Sequence, residues 1–201
     1  MKKNNVNRAI LLAPLFLFGL AGVYFLVVFL KGSDANAFQD NLLPELIGFC
    51  LEGFFLAGLF SLVQRLMERD RKDELRRSLR GALREILSYL DIAVLGEYAE
   101  PASSHALEQD PQSVATLIMK LNERELDLDK MRDIKEAAAR NLSTMHDLIP
   151  VAAQLSADHM RWWLALADSV RHLSEATDKS AVTFSAHRFL ANLAEFDGLN
   201  L

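Results

Sequence analysis

LLPELIGFCLEGFFLAGLFSLV (residues 42–63) runs without a break into QRLMERDRK (residues 64–72). As a helix at about 1.5 Å per residue, the apolar part is long enough to cover a hydrocarbon layer of ~30 Å, and the arginines that follow mark its exit. AILLAPLFLFGLAGVYFLVVFL (residues 9–30) shows the same pattern upstream. Spans at about 9–30 and 42–63 predict a two-span transmembrane helical hairpin over residues 1–67. A secretory signal competes for the first run, since Lys2, Lys3 and Arg8 precede it. Signal h-regions are only ~7–15 residues long, however, and Leu30-Lys31-Gly32-Ser33-Asp34 lacks a small-residue cleavage pattern. The first run is read as a retained span.

Orientation follows from where Lys and Arg fall, because positively charged segments stay on the cytoplasmic side. Lys2, Lys3 and Arg8 precede the first span, and Arg65, Arg69, Arg71, Lys72, Arg76, Arg77, Arg80 and Arg84 follow the second. The loop between the spans carries Lys31 against Asp34 and Asp40. Both ends are therefore expected in the cytoplasm of a bacterial cell, with the hairpin in the inner membrane and only a short loop outside.

The chain has 201 residues, is 51% hydrophobic and carries a formal net charge of -5 with one cysteine. Residues 68–201 amount to one domain's worth of chain, expected as a cytoplasmic helical domain. Cys50 lies inside the second span and has no partner for an internal disulfide. The acidic balance argues against direct nucleic-acid binding, which needs a clustered basic surface. Arg65, Arg69, Arg71 and Lys72, directly after the second span, are instead read as contacts to anionic lipid headgroups.

Leu62, Val63, Leu66 and Met67 lead straight into the helix-forming stretch 68–77, so the second span is expected to continue out of the bilayer. Leu75, Leu79, Ala82, Leu83, Ile86, Leu87, Leu90 and Ala93 then recur at three- and four-residue spacing, an apolar stripe that needs a partner helix. Gly81 is the weak point of that helix. Residues 97–111, with two prolines and Ser103-Ser104, read as a loop. Asp110-Pro111 opens a helix with Val114, Leu117, Ile118 and Leu121 on one face. Another begins near Asp129 and runs through Met131, Ile134, Ala138, Leu142, Met145 and Leu148 until Pro150 ends or kinks it. Residues 151–176 are expected to continue helically, and Ser180 to open a last helix that Gly198 stops. No segment alternates with period two for long enough to be a strand. The fold class is all-α: a two-span transmembrane hairpin followed by a cytoplasmic helical bundle.

Glu52 stands near the middle of the second span, where a charged side chain costs about 2.5 kcal/mol or more on insertion scales. It should be neutral, paired, or turned toward a polar cavity. Glu45 is seven residues earlier on nearly the same face with Gly48 between them, which makes a polar line along one side. On the adjoining side Gly53, Ala57 and Ser61 form a small-residue row that lets another helix approach closely. Three readings stay open. Glu52 hydrogen-bonds across a helix pair and holds spans together, copies of the chain converge on it and line a polar path through the membrane, or it is only marginally solvated.

The polar remainder shows no catalytic signature. His105, His146, His159, His172 and His187 lack ligand spacing, and neither a nucleophile motif nor a phosphate-binding loop is present. No enzyme activity, metal or cofactor is expected. Arg161, Trp162 and Trp163 are the candidate partner-binding anchor, because Trp and Arg dominate interface hot spots. Adjacent helical residues point about 100° apart, so one of the two tryptophans is expected in the core and the other nearer the surface.

The layout of Ala9–Leu30 and Leu42–Val63 joined to a helical domain without catalytic residues resembles the small two-span membrane effectors of bacterial anti-phage systems, including retron-linked ones. The resemblance is one of layout over the whole chain, and no residue transfers by position. It implies a non-enzymatic membrane effector, a homo-oligomer in the lipid bilayer, that permeabilises or depolarises the inner membrane when a cytoplasmic protein or ribonucleoprotein partner releases or triggers it. The alternative is a tether that anchors a partner-binding bundle at the membrane.

Overall fold

The computed structural model describes residues 2–31, 42–96, 99–124 and 126–200, with side chains of the first segment described from Ala13 onward. The connection that holds Asp34 and Asp40 lies outside the described residues. Among the described residues the chain is all-α, with no strand. It divides into two compact units, Met1–Arg69 and Asp70–Leu201.

The first unit is built from α1 (Lys2–Lys31) and most of α2 (Leu43–Ala82). Both contain stretches long and apolar enough to cross a membrane. The two helices run antiparallel. Leu15 faces Gly58, Phe18 faces Gly53, Gly19 faces Phe54 and Gly22 faces Cys50, so numbers rise along one helix as they fall along the other. Small residues make this approach possible: a methyl group at Gly53 would stand 2.6 Å from the ring of Phe18. Larger apolar side chains point outward, and Leu20 and Phe55 are each 70% exposed.

The second unit takes in the last turns of α2, then α3 (Arg84–Val94), α4 (Ser104–Gln109), α5 (Gln112–Glu123), α6 (Leu128–Asp147), α7 (Ile149–Leu155), α8 (Ala157–Glu175) and α9 (Lys179–Asp197). α8 is central and packs against α6, α7 and α9, while α3 packs on α6 and α5 on α9. The core draws Leu79 and Leu83 from the α2–α3 junction, Ile86, Leu87 and Leu90 from α3, Leu117 from α5, Ile134 from α6, Leu166 and Val170 from α8, and Phe189 and Leu193 from α9. The amphipathic stripes read from the sequence are these faces.

Three boundaries differ from expectation. α2 breaks at Leu83, two residues beyond Gly81, where the Leu83 amide bonds to the Arg80 carbonyl three residues back rather than four. The presumed loop 97–111 contains α4, because the Ser103 hydroxyl accepts the Ala106 amide and caps a short helix. Residues 151–176 are not one helix: Ser156 is fully extended, ends α7, and accepts the His159 amide to start α8. Pro150 separates α6 from α7 as expected, since it lacks the N–H that a continuing helix needs.

Candidate functional site

The stripe Phe49, Glu52, Gly53, Leu56, Phe60 and Val63 recurs at three- and four-residue spacing and therefore occupies one side of α2. With Pro14 and Phe18 of α1 it lines an open groove of about 680 Å³ on the hairpin. Phe18 and Phe49 meet edge-on at 5.9 Å and close the groove floor. Every lining residue is apolar except Glu52. Its side chain is exposed, and among the described residues it makes no hydrogen bond or ion pair.

The sequence-derived residues divide accordingly. Glu45 is exposed like Glu52, and a methyl group at Gly48 would meet nothing within 4 Å, so the line of Glu45, Gly48 and Glu52 is uncovered. Within the groove, α1 places Pro14 and Phe18 beside Glu52, and neither supplies a polar side chain. The small-residue row serves the chain's own hairpin in part. Gly53 receives the Phe18 ring, and Ser61 is buried, while Ala57 lines the groove.

In the second unit, Trp163 is withdrawn from the partner-binding candidates. Its side chain is fully buried, and its indole N–H donates to the Met145 carbonyl at 2.8 Å, so it is a core residue. Trp162 is half-buried, and the Arg161 guanidinium lies 5.7 Å from its ring centre while also pairing with Asp158 at 3.7 Å. That pair remains at the surface. Arg65 and Arg69 are exposed, whereas Arg71 donates to Gln154 at 3.0 Å and Lys72 is half-buried.

The sequence reading missed a polar cluster formed by Arg76, Arg80, His159 and Asp197. Arg80 is 3% exposed. It pairs with the Asp197 carboxylate, and donates to the Leu107 carbonyl at 3.2 Å, the Asp110 carbonyl at 3.3 Å and the Ser113 hydroxyl at 3.3 Å. Burial, then the neighbouring Arg76 charge, pushes its guanidinium down to about 10. Arg76 donates to the carbonyls of Asp197 and Leu199 at the end of α9. The available signal was spacing: Arg76 and Arg80 fall on the stripe of Leu79 and Leu83, where a solvated face would not lie.

No group of three or more metal-ligating side chains occurs among the described residues. Comparison of the chain with protein families, curated proteins and solved structures found no match.

Proposed function

We propose that this chain is a non-enzymatic protein of a bacterial inner membrane that self-associates through the open groove of its hairpin and permeabilises or depolarises that membrane. The observation that carries the reading is Glu52, the one carboxyl group lining an otherwise apolar groove, without a partner among the described residues. An ionised carboxylate facing lipid costs about 2.5 kcal/mol or more. A second copy supplies the simplest complement, because two carboxyl groups brought together share one proton and bond to each other. Further copies bring the same groups around an axis, and a polar path results.

The distribution of Lys and Arg supports an N-terminus and helical bundle both in the cytoplasm. There the bundle, through Arg161 and Trp162, meets a protein or ribonucleoprotein partner that restrains or triggers the hairpin. Anti-phage defence is the setting that the layout suggests. The second reading, a membrane tether, is favoured by the bundle's own continuous core, which would fold and bind whether or not the hairpin conducts.

The test is membrane potential and growth of bacterial cells on induced expression, with wild type, Glu52→Gln and a chain beginning at Asp70 compared after membrane insertion is checked. Rapid depolarisation by wild type, altered or lost in Glu52→Gln and absent from the truncated chain, is expected. If inserted wild type leaves the potential unchanged both alone and after release from any captured partner, the tether stands instead.

A further inference from the structure

Asp197 is the last residue of α9, so its carboxylate sits at the negative end of the helix dipole, where an acid is disfavoured. What keeps it there is opposite charge. Arg80 pairs with the carboxylate, and Arg76 binds the terminal carbonyls of Asp197 and Leu199. Both arginines belong to α2, the helix whose earlier half carries Glu52. The end of α9 is thus tied to α2 by one ion pair and by hydrogen bonds to its terminal carbonyls.

His159 sits beside this tie. It is 1% exposed, stands in the first turn of α8, and meets Phe196 edge-on at 5.4 Å, one residue before Asp197. Its Nδ1 lies 2.7 Å from the Ser156 hydroxyl, but its Nε2 is buried with no hydrogen-bond partner. The charged groups that act on it are, strongest first, Arg76 from α2, Asp158 from its own helix and Lys72 from α2. The helix N-terminus adds further positive potential. A proton on this ring has no acceptor at Nε2 and must draw the ring toward water, which moves Phe196 and with it the end of α9.

We propose that the C-terminal end of α9 is a releasable latch on α2, closed by Arg76 and Arg80 and opened by proton uptake at His159. Burial, then the charge of Arg76, holds the imidazole below its ordinary value. A depressed histidine contributes stability that is present above about 6.5, its value in unfolded chain, and is lost as pH falls through the folded value. The latch therefore opens on acidification. It does not depend on conduction by the hairpin.

Hydrogen exchange of the full chain in lipid nanodiscs at pH 7.5 and 5.5, corrected for the pH dependence of intrinsic exchange, tests this. Protection across residues 190–200 should fall several-fold, up to about tenfold, at pH 5.5, while residues 131–145 of α6 keep theirs. His159→Gln and His159→Phe, each checked for native helicity, should remove the step. Asp197→Asn should leave residues 190–200 weakly protected at both pH values. Equal protection at the two pH values in wild type overturns the proposal, as does a step that survives in either folded His159 variant. If neither variant folds, a wild-type loss that spreads equally to α6 also overturns it, because global acid unfolding then accounts for the change.

Discussion

Leu56 and Leu166 are the same side chain in opposite settings: the first is 67% exposed on the hairpin, the second fully buried in the bundle. Apart from the buried Leu43, the hairpin turns most of its large apolar groups outward and buries small residues such as Cys50 and Ser61, whereas the bundle buries Trp163, Phe189 and Phe196. Two solvents account for the difference. In water, burial of apolar area drives helices together. In lipid no such drive exists, and helices meet where small residues allow close packing. An acidic residue consequently means different things in each region. Asp197 in the bundle has Arg80 as its partner, while Glu52 on the hairpin has none among the described residues.

The contrast is sharpest at the aromatic residues. Trp163→Ala removes a fully buried ring and leaves the Met145 carbonyl without its donor, so the bundle should lose about 3–5 kcal/mol of stability. Phe55→Ala, at a 70% exposed hairpin position, should change stability in detergent by no more than about 0.5 kcal/mol. Denaturant unfolding of the two variants in the same micelles compares them directly. Comparable losses would break the inside-out description.

Arg80→Leu should cost about 3 kcal/mol, because the buried Asp197 carboxylate is left uncompensated. Arg80→Leu combined with Asp197→Leu should recover most of that loss. Additive losses in the double-mutant cycle would mean that the pair is not coupled.

Within the hairpin, Gly53→Ala should weaken α1–α2 packing by about 1–2 kcal/mol, since the Phe18 ring must shift. Gly48→Ala meets open space and should be neutral or slightly favourable through helix propensity. Faster hydrogen exchange over residues 15–22 in the first variant alone is the expected result.

The smallest effect concerns surface charge on the bundle. Hydrogen bonds from Arg140 and Asn141 hold the Glu85 carboxyl below the usual carboxylate range. Its contribution is therefore present above about 4.5 and lost as pH falls through the folded value. Glu85→Gln should lower the unfolding midpoint slightly at pH 7, and the gap to wild type should narrow as pH falls below about 4.5.

The apolar runs and the three- and four-residue spacing of the bundle stripes were legible because both express solvent preference along one helix. α4 was not, because a helix of this length has no periodicity to read and depends on the Ser103 cap. The break at Ser156 was hidden for a related reason: a serine between two apolar helical segments acquires a capping role only when the chain extends there. The buried role of Arg80 was not legible because its partners, Leu107, Asp110, Ser113 and Asp197, are distant in sequence and become neighbours only in the fold. Glu52 was visible as an anomaly, but its lack of a partner among the described residues emerges only from the packing of α1 against α2.

The most direct test of the central claim, that the open groove receives a second copy, is cysteine cross-linking in native membranes with Cys50 replaced by Ser. Leu56→Cys and Phe60→Cys lie on the groove, and Leu51→Cys and Phe55→Cys lie off it. Efficient dimers from the two groove positions and few from the other two are predicted. Monomers at all four positions, or equal cross-linking at all four, would contradict the account.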